Sequence, residues 1–186
     1  MLLLFYMEMI DVLDSDGTSS RQIVSKKEVH QKGLWHRTAH VWLVNSKGEI
    51  LLQRRADDIE SFPNKYFISA GGHLSAGDMR IEGALREVEE ELGIKIIEKD
   101  LINIGEIRIE RNQKNETYID KEYCDIYILY KDIPVSDFII QKSEVKYVKY
   151  VALSEFKKMI LENNDDLVVP TEEECKVLFT YLDKNL

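Results

Sequence analysis

Apolar and polar positions change rhythm several times along this chain. They alternate from Thr38 to Val44, "NSKG" then turns the chain, and "EILLQRR" alternates again, which predicts a hairpin. A charged loop from Ala56 to Lys65 ends in "FPNK", and "YFISA" is a short strand that runs straight into "GGH". "LINIGEIRIERNQ" and "YIDKEYCDIYILYKDI" predict two strands joined at "KNE", and "EVKYVKYVAL" predicts one more. The period becomes helical from Met79 to Leu92. Two helices close the chain: Ser154 is placed to cap "EFKKMILEN", and Thr171 with Glu174 offers a capping box for "EEECKVLFTYLDKN". Upstream, "MEMIDVLDSDG" reads as a strand and turn, and "SSRQIVSKKEVHQKG" as a short polar segment. This order predicts an α/β fold, a mixed β-sheet flanked by helices. With no repeat or linker, residues 1–186 read as one domain. Residues 153–186 form its terminal helices, and residues 1–6 are read as lying outside the ordered part.

The helix contains "REVEEELGI", Arg86 to Ile94, in which like charges crowd together. At roughly 100° per residue, with Glu87 as zero, Glu90 falls near roughly −60° and Glu91 near roughly +40°. Ile81, Leu85, Val88 and Leu92 share a neighbouring apolar face, while Glu82 and Glu89 point elsewhere, into solvent. An acidic helix face is often just a solvated face. Lining a cleft is different, because two carboxylates ~4 Å apart repel by about 4 kcal/mol at an effective dielectric near 20. A cation must then sit among them, and an all-oxygen donor set suits magnesium or manganese.

Composition narrows the partners. The chain is 44% hydrophobic and 32% charged with a net charge of −9, which disfavours nucleic acid polymers and anionic membranes. Phosphorylated small molecules stay open, because a bound metal reverses the local field. Cys124 and Cys175 form neither a CxxC pair nor a disulfide framework, and a reducing cytoplasm suits them. "MLLLFYMEMI" lacks the basic flank of a signal and falls short of the ~18 apolar residues of a span, so it reads as neither signal nor anchor. A start at Met7 or Met9 would leave the following strand and turn intact.

Upstream of the acidic helix, "SAGGHLSAGD" puts a glycine pair at the end of a strand, where backbone can approach an ion or phosphate, and Gly93 suits the end of the helix. Gly72, Asp78 and the run Arg86-Glu87-Val88-x-Glu90-Glu91-x-Gly93-Ile94 together resemble the box of the Nudix hydrolase family. The resemblance implies a Nudix-like α/β/α sandwich in which Glu87, Glu90, Glu91 and the carbonyl of Gly71 or Gly72 hold Mg2+ or Mn2+, Arg86 orients a glutamate, and a small-molecule diphosphate is cleaved. Asp78 departs from the glutamate usual there, and metal contact at that position is not implied. Pairing among family members leaves a homodimer open.

"HRTAHVWLVNSKGEILLQRR" and "EVHQKGLWH" further resemble the branch that contains isopentenyl-diphosphate isomerase. That resemblance places His30, His36 and His73 where the isomerase binds metal, with one residue fewer between His30 and His36, and makes His36 and His73 contacts for metal or phosphate. Glu122 falls where the isomerases keep a catalytic glutamate. The isomerase acid, a cysteine, corresponds here to Gly71, so hydrolysis ranks above isomerisation, and a binding module without catalysis is the third reading. Glu90, Glu122 and Glu144 are all candidates for the general base. Arg54 and Arg55 alternate along their strand, so one of them faces the cleft to bind phosphate. Trp35, Trp42, Phe62, Tyr66 and Tyr118 are core or stacking aromatics, and a nucleoside diphosphate derivative is the default substrate.

Overall fold

The computed structural model describes residues 8–112 and 118–186, so the expected "KNE" turn and the first seven residues lie outside the described part. In chain order the elements are β1 (Met9–Leu13), β2 (Ser19–Ser25), α1 (Lys26–Lys32), β3 (His36–Val44), β4 (Glu49–Arg55), β5 (Tyr66–Phe67), β6 (Ala70–His73), α2 (Arg80–Leu92), β7 (Leu101–Asn112), β8 (Ile119–Tyr130), β9 (Val145–Ala152), α3 (Leu153–Leu161) and α4 (Glu172–Asn185). No helix among them is long and apolar enough to cross a membrane.

β1 and β2 form an antiparallel sheet of their own, and the other seven strands form a mixed sheet with β3 parallel to β8 and every other pair antiparallel. The predicted β3–β4 hairpin forms as an antiparallel pair about a tight turn, with its ladder confined to Val44 and Ile50. The segment from Tyr66 to His73 is wedged between them, its first half pairing with β4 and its second with β3. Ser69 marks the crossing, where its hydroxyl accepts from Leu43 N at 2.8 Å and donates to Leu51 O at 2.6 Å. The opening this creates lies beside the glycine pair.

Each face of the sheet is covered by helix, because its strands are apolar on both sides. Val41, Leu43, Leu51, Val88 and Leu92 pack between sheet and α2. Trp42, Ile50, Phe156, Leu178 and Leu182 pack on the other face under α3 and α4. The N-terminus of α2 is also tied down electrostatically, since Arg80 and Arg37 both meet the buried Asp125, at 3.0 and 3.2 Å.

Three local expectations need amendment. "SSRQIVSKKEVHQKG" is not simply a polar segment: it forms β2, paired with β1, and then α1, capped by Ser25 through the Glu28 N–H. Helix α3 begins one residue before Ser154 and takes no side-chain cap. Thr171 does cap α4, accepting from Glu174 N at 3.2 Å, but the Glu174 carboxylate leaves the predicted capping box for the sheet, where it accepts from His40 Nδ1 at 2.8 Å and Trp42 Nε1 at 3.2 Å. Contact with Cys124 and Glu174 raises the His40 pKa well above the ordinary value, although burial opposes the shift.

Candidate active site

Helix α2 runs beside β6, and a cavity of about 810 Å3 opens between them under the β1–β2–α1 segment. Period decides what the helix shows it. Val88 and Leu92 are fully buried in the core, and Glu87, Glu90 and Glu91 all line the cavity, whereas Glu89 is exposed and bonds Lys95. Gly93 ends the helix at φ 67°, a left-handed conformation that favours glycine.

The three carboxylates differ in environment. Glu91 is 2% exposed, and its Oε2 accepts from Gly71 N at 2.9 Å and Gln53 Nε2 at 3.1 Å. Burial, with the Glu87 charge nearby, pushes its pKa up to about 8. Glu87 is raised to about 7, again chiefly by burial, although Arg86 opposes the shift. Glu90 remains half exposed. Arg86 bridges the group, its Nη1 donating to Glu87 at 2.8 Å and Glu90 at 3.0 Å while Nη2 donates to the His73 carbonyl at 2.8 Å. Asp78 accepts from Ser75 N at 3.0 Å and lies 3.6 Å from Arg86, so its shorter side chain holds the loop before the helix and the arginine. A Cβ on Gly72 would fall 2.8 Å from the Glu87 carboxyl, so only glycine lets this strand end approach the acids. Two carboxyls whose pKa burial raises to about 7 and about 8, beside a bare backbone, make an oxygen donor set that fits a hard divalent cation.

A second group of donors, from three separate elements, faces the first. His30 of α1, His36 of β3 and His73 of β6 bring ring nitrogens within 4.8 Å of one another. His36 Nδ1 donates to the Leu34 carbonyl at 2.9 Å, which leaves the buried Nε2 with a lone pair and no hydrogen bond. Burial lowers the His36 pKa to about 4 and depresses that of His73 well below its usual value, so both rings are neutral. His30 Nε2 sits 3.0 Å from His73 Nε2, and its Nδ1 approaches Asp120 at 2.9 Å without hydrogen-bonding geometry. Tyr118 stacks on the His30 ring at 4.1 Å. Neutral imidazoles with adjacent carboxylates suit a borderline cation better than magnesium.

The other predicted residues divide. Arg55, His73, Glu122 and Glu144 line the cavity. Glu122 lies 3.8 Å from His36 and accepts from Thr38 at 3.4 Å, and burial raises its pKa to about 7. Arg54 does not line the cavity: strand alternation turns it outward, to Asp166 at 3.2 Å and Asn64 at 3.1 Å. His36, fully buried behind the cavity wall, cannot serve as a substrate contact. Of the aromatics, Phe62 and Tyr118 line the cavity, Trp42 is core, and Tyr66 is covered by Arg54 and Lys149. Sequence reasoning missed Asp120, Gln53 and the cavity residues Lys26 and Arg111. Asp120 had a signal, since it alternates with Glu122 along β8 and must share its face.

Comparison with known proteins gives the family and the fold. A model of the NUDIX domain matches residues 34–171. Nudix hydrolase 3 of Arabidopsis thaliana is 37% identical over 166 residues, covering 88% of this chain, which spans only 21% of that longer protein's length. An uncharacterised Nudix hydrolase of Clostridium acetobutylicum is 35% identical over 163 residues, covering 86% of this chain and 76% of its own length. A crystal structure of a Deinococcus radiodurans protein, DR0079, superposes with a TM-score of 0.66 over 95% of this chain and 98% of that one, at 17% identity, a likeness of fold.

Proposed function

The chain belongs to the Nudix family, and from that premise we propose that it hydrolyses a phosphoanhydride bond in a nucleoside diphosphate derivative or related small diphosphate, using a divalent cation. The observation that carries this reading is the convergence of Glu87, Glu90 and Glu91 on one cavity wall, bridged by Arg86 and approached by the backbone of Gly72. Magnesium or manganese, when bound, supplies charge neutralisation for the diphosphate oxygens and a more acidic water. The three glutamates and a carbonyl of the glycine pair would hold it. Arg86 keeps two of those carboxylates in register, and the amide of Gly71 with Gln53 fixes the third. Arg55, one of the cations that line the cavity with Lys26, Arg86 and Arg111, is placed to bind phosphate. For deprotonating water we favour Glu122 or Glu144, because Glu90 is held by Arg86. The elevated pKa of Glu122, about 7, suits a base working near neutrality. His30, His36 and His73 fit a second cation, as the isomerase resemblance implies.

Isomerisation is disfavoured by more than a missing cysteine. A Cβ at Gly71 would lie 2.4 Å from Ala39 O and 2.7 Å from Ile68, so the backbone leaves no room for a side chain there. The cavity of about 810 Å3 also exceeds what a short-chain diphosphate fills. The test is a screen of nucleotides, nucleotide sugars, other phosphoanhydrides and isopentenyl diphosphate with magnesium, scoring the phosphomonoesters formed, as phosphate freed by an added phosphatase that does not attack the intact substrate, against isomerised product. Magnesium-dependent formation of two phosphomonoesters from a nucleoside diphosphate derivative supports the proposal; isomerised product, or no cleavage of any phosphoanhydride, overturns it. We place this activity in a reducing cytoplasm, where both cysteines stay free thiols.

A further inference from the structure

The loop between β4 and β5 holds two non-glycine residues in the left-handed region, Phe62 at φ 49° and Asn64 at φ 54°. Asparagine tolerates that conformation, whereas a bulky ring ahead of a proline does not, so the surrounding contacts must impose it. Those contacts grip two neighbouring arginines from opposite sides. On the outer face, Asn64 Oδ1 accepts from Arg54 Nε at 3.1 Å. On the inner face, the Ser61 carbonyl accepts from Arg55 Nε and its hydroxyl from Arg55 Nη2, each at 3.0 Å. The base of the loop is closed by Asn64 N to Ala56 O at 3.2 Å and by Ala56 N to the Glu144 carbonyl at 2.8 Å. The Arg55 guanidinium also lies over the Phe67 ring, 5.1 Å from its centre. One edge and one face of Arg55 are thereby fixed, and Arg55, Ser61 and Phe62 all line the same cavity.

We propose that the turn from Ser61 to Asn64 is the specificity element of this cavity: Ser61 is a positioning residue that presents Arg55 to the ligand's diphosphate, and Phe62 is the platform on which a nucleobase stacks. The assignment rests on the phosphoanhydride reading of the site and names its substrate class. A planar guanidinium held along one edge and one face keeps its remaining N–H groups directed at a phosphate without reordering on binding. A ring fixed by its backbone, and not by core packing, gives a nucleobase a rigid apolar face.

The test is calorimetric titration of the full chain with inorganic pyrophosphate and with ADP, each with magnesium, for wild type, Ser61→Ala, Ser61→Thr, Arg55→Lys, the Ser61→Ala/Arg55→Lys pair, Phe62→Ala and Phe62→Tyr. Circular dichroism checks that each variant is folded. Ser61→Ala weakens both probes about tenfold, Ser61→Thr restores them, and in the Arg55→Lys background the serine change costs less than about twofold. Phe62→Ala weakens ADP about tenfold and leaves pyrophosphate within about twofold, while Phe62→Tyr keeps the preference. A Ser61→Ala loss of equal size in both backgrounds, or a Phe62→Ala loss shared by both probes, overturns the assignment. So does binding by wild type that neither substitution alters. Wild type that binds neither probe overturns the phosphoanhydride reading itself, and this assignment with it.

Discussion

Two groups of donors, the carboxylates that line one wall of the cavity and the imidazoles that reach it only through His73, are assembled by different routes. The carboxylate wall comes from a single turn and a half of α2, with Glu87, Glu90 and Glu91 brought together by helical period alone. The imidazole wall needs α1, β3 and β6 to meet, and its three rings are separated by up to 43 residues in the chain. Burial then acts on them with opposite sign. It raises the pKa values of Glu87 and Glu91 and lowers those of His36 and His73. The donor atoms differ in hardness as well, oxygen on the helix and nitrogen on the imidazoles.

Substitutions separate the walls. The largest effect should come from Glu90→Gln: magnesium-dependent turnover falls by at least about a hundredfold, while the melting curve stays near wild type because this side chain is half exposed. An unchanged rate would remove Glu90 from the site. His73→Gln is expected to act on the other wall alone, weakening cobalt uptake, read from its visible absorption, by at least about tenfold while magnesium-dependent turnover changes far less. Equal loss of both would show that the two walls hold one ion. Gly71→Ala tests the ground between them, and the close approach to Ala39 O should cost about 1–3 kcal/mol in urea unfolding.

Acidity distinguishes the walls more gently. Glu87 and Glu91 have folded pKa values raised to about 7 and about 8 from an ordinary 4.5, so their contribution to stability is present below 4.5 and is lost as pH rises through about 7 to 8. His36 is depressed from 6.5 to about 4, so its contribution is present above 6.5 and is lost as pH falls through about 4. Urea midpoints of metal-free protein should therefore decline towards both ends of that range, and magnesium should rescue only the alkaline side. Rescue of the acid side by magnesium would contradict the division. The smallest effect is predicted for Arg54→Ala, with KM for the best substrate within about twofold of wild type, against a rise of about tenfold or more for Arg55→Ala.

Legibility followed the same divide. The α2 acids, the Gly93 stop and the strands on either side of them could be read from period and turn chemistry, because helix and strand geometry place neighbours within a few residues. Arg54 and Arg55 were readable as opposed, but which one faced inward was not, since alternation fixes relative facing and not the absolute direction. Glu174 shows why local rules fail: the capping box was a sound local bond, yet a buried imidazole and an indole offered its carboxylate partners that only α4 docking could supply. The short extent of the β3–β4 ladder was hidden for a related reason, because a later segment inserted between two strands that were adjacent in sequence.

The sequence by itself determined the acidic helix, its glycine approach and the identity of the donors, all products of short-range geometry. Only the tertiary structure decided that His30, His36 and His73 converge, that Arg55 faces inward under the grip of Ser61, and that no side chain fits at Gly71. Those outcomes depend on which distant elements pack together, and packing is set by the collective fit of the whole core, which no local pattern records.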